Sequence, residues 1–359
     1  MGDEVYYRLA KALDTLPQGF PATESGLEIR ILKKIFTPDE AELFCDLRLT
    51  AETAEQIAAR TGRPLEGLEA KLTNMWERGE LFGAEREGVK TFRMAPWVIG
   101  LYEFQLNRMD REFAQMCKEY AMYFGPQLLS HGPPIMQTIP IEAEIPNSHE
   151  ALPYERVSFI IENGRSFLVN DCICKKEEGL LGKPCSKPVD VCLAISDEPE
   201  AFKTLSYGRA ISKEEAYQVL RRAEDAALVH LTHNVESGHW FICNCCGCCC
   251  GMLQACRLLG SSAPVNSHFC AEIDPDICSA CGVCADERCQ VKAIEEVDGA
   301  YRVSAGKCIG CGLCVTTCPT EAIRLVRKKP EEIVAPPKDD QAWLEERARS
   351  RGVDYSAYK

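Results

Sequence analysis

Residues 278–289 read CSACGVCADERC, and residues 308–319 read CIGCGLCVTTCP. The spacings are Cys278-x2-Cys281-x2-Cys284-x4-Cys289 and Cys308-x2-Cys311-x2-Cys314-x3-Cys318-Pro319, an internal repeat. The chain has 359 residues and 22 cysteines. Cys45 sits on a helix face beside Leu43 and Phe44, Cys117 follows Phe113 at helical spacing, and both read as small core residues. The other 20 lie between Cys172 and Cys318. The first residues, MGDEVYYRLAKALD, show no basic region followed by an apolar stretch, so no export signal is expected. Thiols at this density without export imply a reducing, cytoplasmic setting and metal or redox chemistry rather than disulfides.

The repeat resembles the bacterial two-cluster [4Fe-4S] ferredoxins. A cubane presents iron at four corners of a tetrahedron. A tight Cys-x2-Cys-x2-Cys loop can wrap three of them, so the fourth thiolate comes from elsewhere. Carried over residue by residue, the resemblance implies one cluster on Cys278, Cys281, Cys284 and Cys318. It implies a second on Cys308, Cys311, Cys314 and Cys289. Gly282, Gly310 and Gly312 fit the crowded loops, and Ala293-Ile294 and Ala322-Ile323 recur after each run. Structural zinc also uses Cys-x2-Cys pairs, but it does not need four cysteines per run and a terminal Cys-Pro. The sequence departs from the family pattern at two points: one extra residue before Cys289, and Gln290 where proline is usual.

A second cysteine block lies upstream. Its first group is Cys172, Cys174, Cys185 and Cys192. Its second is Cys243, Cys245, Cys246, Cys248, Cys249 and Cys250, followed by Cys256 and Cys270. In extended chain a Cys-x-Cys pair points to one side and adjacent cysteines to opposite sides. The run CNCCGCCC therefore offers thiolates to two sites on different faces, with the first group completing them. One or two additional Fe–S clusters are expected here, with zinc and a metal-free dithiol site as the alternatives. The chain resembles anaerobe-type proteins that join such a block to a C-terminal dicluster ferredoxin. Cys245-Cys246-Gly247 is also similar to the Cys-Cys-Gly signature of heterodisulfide reductases. His230, His233 and His239, just upstream of the run, read as satisfied or exposed histidines rather than ligands.

The remaining sequence predicts a multidomain α+β protein. Residues 1–25 read as a helix and turn. Residues 26–95 resemble a winged helix, with helices from Glu28, Pro38, Thr53 and Pro64 and a hairpin over LFGAERE and VKTFRM. Residues 96–153 read as one long helix from Val98, ended by Gly125-Pro126, and a linker with prolines at 133, 134, 140, 146 and 153. Residues 154–265 read as a cysteine-rich α/β domain with strands at RVSFIIEN and RSFLVN and a helix capped by Ser212 and Glu215. Residues 266–328 form the ferredoxin-like domain, and 329–359 a charged tail with one helix, AWLEERARSR.

The formal charge of -13 argues against a nucleic acid or an anionic membrane surface as partner. The helix expected from Pro64 to Glu77 carries Glu66, Glu69 and Glu77 against Lys71. Only Asn74, Lys71, Arg86, Lys90 and Arg93 could serve a DNA backbone or base edge. No apolar run approaches a membrane span, and no nucleotide or flavin motif is present. The expected function is single-electron relay to or from a partner oxidoreductase or other redox protein, as a carrier or subunit rather than a stand-alone enzyme. An Fe–S-sensing winged-helix regulator and a disulfide-reductase-type enzyme are the alternatives.

Overall fold

The computed structural model describes residues 3–145, 151–202, 205 and 207–359. Pro146 of the proline-rich stretch lies outside the described residues. In the N-terminal third, apolar residues recur every three or four positions, and the chain is helical. Helix α1 (Glu4–Thr15) buries Leu9 and Leu13, and α2 (Leu27–Ile35) buries Ile31, Leu32 and Ile35. Thr37 and Glu40 form a reciprocal cap on α3 (Pro38–Phe44). Thr53 and Gln56 do the same for α4 (Ala54–Thr61). The helix expected from Pro64 starts later, because Gly67 is left-handed; α5 runs Leu68–Glu77. Strands β1 (Phe82–Arg86) and β2 (Val89–Arg93) form a hairpin. Glu87 and Gly88 both have positive φ, the two-residue turn whose twist suits paired strands.

The long helix expected from Val98 is broken. Trp97–Leu101 makes a wide turn with Ile99 at φ 50°, and the amide of Gly100 donates to the Glu103 carboxylate at 2.9 Å. Asp110 then caps α6 (Arg111–Leu129). This helix continues through Pro126 instead of ending there. The carbonyl deprived of a donor belongs to Met122, an exposed residue, while Phe124 and Leu128 are buried and hold the last turns in place.

The middle of the chain builds a seven-stranded sheet. Its elements are β3 (Met136–Ile139), α7 (Val157–Asn163), β4 (Ser166–Asp171), α8 (Ile173–Leu180), β5 (Asp190–Ser196), β6 (Arg209–Ile211), α9 (Lys213–Asp225), β7 (Val229–His233), β8 (Phe241–Cys245), α10 (Gly251–Leu259) and β9 (Val265–Asn266). The strand order is β6-β4-β5-β8-β7-β3-β9, antiparallel except for β3 with β9. Two expectations are corrected. RVSFIIEN is a helix, because Val157, Ile160 and Ile161 bury one helical face. The stretch expected as a linker supplies β3, fully buried between β7 and β9.

Alternation along β5 and β8 divides the interior in two. Val191, Leu193, Ile195 and Ile242 pack with residues of α7 and α9. Ala194, Phe241, Cys243 and Cys245 face a core shared with the N-terminal helices and the C-terminal cysteine repeat. Beyond the sheet, β10 (Phe269–Ile273) pairs with β13 (Ile323–Arg327), and β11 (Ile294–Val297) with β12 (Ala300–Val303). The charged tail is not loose. Its helix α11 (Asp340–Arg351) buries Trp343 and Arg347. The Arg347 guanidinium donates to the carbonyl of Leu128 in the last turn of α6 and to those of His131 and Pro133 just past its end.

Candidate metal centres

The left-handed residues of the cysteine repeat fall in register: Ala280 with Gly310, Gly282 with Gly312, Lys292 with Glu321. They bend each run round a hollow. The first cavity, about 300 Å³, is lined by Cys278, Cys281, Cys284 and Cys318, with Tyr301, Pro319 and Ile323. The second, about 380 Å³, is lined by Cys289, Cys308, Cys311 and Cys314, with Arg288, Gln290, Ala293 and Ile294. The last cysteine of each run thus stands in the other run's cavity. The extra residue before Cys289 is absorbed by a wide turn, in which the Cys289 amide reaches the Cys284 carbonyl at 3.0 Å. In the second run the Cys318 amide bonds Val315 instead. Gly310 is required as glycine, since a Cβ there would sit 2.2 Å from the Phe269 carbonyl oxygen.

Soft thiolates lining hollows of this kind suit iron–sulfur clusters. Amides already point at the sulfurs of the second cavity. Ala293 N–H donates to Cys289 at 3.1 Å, and Ala271 and Gly310 donate to Cys308 at 3.4 and 3.5 Å. Donors of this kind tune a cluster's potential. A thiol contact from Cys270 draws the Cys308 thiol down to about 6. Although Cys270 precedes Cys278 by only eight residues, it belongs beside the second cavity. In the first cavity Cys281 is exposed.

The upstream cysteines separate by strand parity into two groups. Cys172 and Cys174, at the start of α8, gather with Cys192, Cys243, Cys245 and Cys250 as successive neighbours whose thiols influence one another. The neighbouring Cys174 and Cys192 thiols hold the Cys172 thiol well below its usual value. The N-terminal part of the chain covers this pocket. The Tyr102 hydroxyl donates to Glu177 of α8 at 2.7 Å, and Lys118 of α6 pairs with Glu178. The second group is Cys185, Cys246, Cys248 and Cys249, whose sulfurs all lie within 4.8 Å of one another. Cys256 is buried in the core, and burial raises its thiol to about 12.

None of the three histidines named from sequence joins a cysteine group. His230 is buried between Asn244 and Glu224, His233 packs on Trp343, and His239 contacts Thr232. Sequence reading missed Arg288, a buried side chain on the second cavity. It donates to the carbonyls of Glu224 and Asp225 at the end of α9 and to Leu313. Its position next to Cys289 was the only available signal. Four of the five candidate DNA contacts are engaged within the chain, Lys90 by donating to the Thr73 hydroxyl at 3.3 Å. Lys71 pairs with Asp39, Arg86 with Glu198, and Arg93 lies over the Phe82 ring.

The family described as "4Fe-4S binding domain" matches residues 301–324. The chain is also 34% identical over 89 residues to an uncharacterized ferredoxin of Methanocaldococcus jannaschii, covering 24% of this chain and 52% of that protein. The chain thus spans about half the length of the curated relative it matches. These likenesses, with the cysteine-lined cavities, make the C-terminal repeat an iron–sulfur module of the ferredoxin type.

Proposed function

We propose that the protein is a multi-cluster iron–sulfur electron-transfer protein that relays single electrons between a partner oxidoreductase and its own upstream cysteine block. The observation that carries this reading is the crossed lining of the two cavities, four cysteines in each. Bound cubanes supply one-electron chemistry. Cys278, Cys281, Cys284 and Cys318 would hold one, and Cys308, Cys311, Cys314 and Cys289 the other. The pocket of Cys172, Cys174, Cys192, Cys243, Cys245 and Cys250 would hold an additional cluster, shielded from water by the N-terminal helices. The exposed Cys281 favours the first cavity as the point of exchange with a partner. The bond from the Gly247 amide of the upstream run to Gln290, which lines the second cavity, favours the second as the inner station.

In this reading the winged-helix-like segment is a cover and docking element. Its net acidic helix and its internally paired cations argue against a DNA-reading regulator. A salt-dependent DNA-binding assay separates the two readings. The primary test is anaerobic iron and sulfide analysis with EPR. More than about eight irons per chain, with matching sulfide, is expected. Cys245→Ser should remove only the iron beyond those eight and leave the ferredoxin signals. A chain with no more than eight irons would eliminate the upstream cluster, and one without iron the whole reading.

A further inference from the structure

The four cysteines outside the covered pocket are gathered by local geometry. Strand β8 points Cys243 and Cys245 to one face of the sheet, and Cys246, one residue on, to the other. Cys246 and Cys249 join the core on the α9 side, while Cys245 and Cys250 join the opposite one. The turn through Gly247 brings Cys248 alongside. Cys185 arrives from the irregular segment between α8 and β5, where residues 182–188 are all exposed or only partly buried.

The distances select the guest. Cys185 Sγ lies 3.8 Å from Cys246 Sγ and 3.6 Å from Cys248 Sγ, and Cys248 and Cys249 Sγ are 3.6 Å apart. Four thiolates about 2.3 Å from a single zinc ion stand about 3.8 Å from each other at the corners of a tetrahedron. Thiolates on a cubane are held about 6 Å apart by the four irons between them. Four sulfurs within 4.8 Å of one another match the single ion. We propose that Cys185, Cys246, Cys248 and Cys249 form a structural tetrathiolate zinc site, separate from the iron–sulfur pockets.

All four coordination positions are taken by protein thiolates, which leaves none for substrate and makes the site a brace. The dianionic centre has a cation at hand on the same segment, since the buried Lys175 ammonium is anchored on the Pro188 carbonyl, three residues from Cys185, at 2.6 Å. The brace ties the Cys185 segment to the β8–α10 turn. Through that segment it steadies α8, which carries Cys174. Zinc holds one oxidation state, so this site stands beside the electron path and not in it.

The test is metal analysis of the full chain, purified anaerobically from cells supplied with both iron and zinc. One zinc per chain is expected, with X-ray absorption showing sulfur neighbours only, at about 2.3 Å. Cys248→Ser, at the exposed ligand, and Cys185→Ser should each lose that zinc, with iron and sulfide unchanged. Cys185→His should retain it. Loss of iron with sulfide from the serine variants would overturn the proposal in favour of a cluster. A mononuclear iron at the site, or no metal lost, would overturn it too. Zinc present in a chain lacking iron would uphold this site while defeating the electron-transfer reading, so the two failures are distinguishable.

Discussion

The amide of Gly247 donates to the side-chain oxygen of Gln290 at 3.0 Å, and a Cβ on Gly247 would meet the Gln290 carbonyl oxygen at 2.1 Å. The residue standing where ferredoxins usually have proline thus docks the upstream cysteine turn directly beside Cys289. Arg257 closes the same contact by donating to the Gly247 carbonyl at 2.8 Å. Gly247→Ala should force the two backbones apart and cost about 1–3 kcal/mol, the range for overpacking. Anaerobic denaturant unfolding measures the loss, and an unchanged midpoint would show that the turn and Gln290 do not meet in solution.

Electron flow between modules should depend on the second cavity. Cys308→Ser should abolish reduction of the upstream Fe–S signal after mixing with a small-molecule reductant. Cys278→Ser, once loss of its cluster is verified, should leave that reduction in place. Rapid-freeze EPR distinguishes the variants, and equal transfer in both would remove the second cavity from the route.

Arg288 is buried and spends its donors on Leu313, Glu224, Asp225 and Thr316. Its charge also lies at the carbonyl end of α9, the favourable end for a cation. Arg288→Ala should strand those carbonyls and destabilise the chain by about 2–4 kcal/mol. Arg288→Lys should recover less than half, because one ammonium cannot reach both helix and loop. Thermal unfolding under anaerobic conditions checks both values.

Glu155 ties the chain before α7 to the repeat. It accepts from His268 at 2.7 Å and from Arg327 of β13 at 2.9 Å. Burial alone would raise its carboxyl, but the bonds from His268 and Arg327 outweigh that and hold it below the ordinary value. A depressed acid adds stability above the unfolded value, about 4.3, and loses it as pH falls through the folded one. Glu155→Gln should therefore cost about 1–3 kcal/mol at neutral pH. The gap to the native chain should narrow below about pH 4. A gap independent of pH would show that the carboxylate charge is not the source.

Several elements were legible because their cause is local. The helix start at Pro38, the boxes at Thr53 and Ser212 and the hairpin turn at Glu87-Gly88 each depend on residues within a few positions of one another. RVSFIIEN misled because a short apolar run fits strand and helix equally, and packing against α9 decided for helix. The stretch around Met136 hid a strand among prolines. Its partners β7 and β9 lie about a hundred residues away or more, and no local signal announces them.

By itself the sequence determined the cysteine repeat, the small residues in its loops and the division of CNCCGCCC between two faces. Spacing and strand parity are properties of the chain's own geometry. Only the tertiary structure decided which upstream thiols converge, that Cys270 belongs with Cys308, and that Gln290 and Arg288 join the repeat to the sheet. Those neighbours are separated by dozens of residues, and their distances are set by how sheet, helices and repeat pack together.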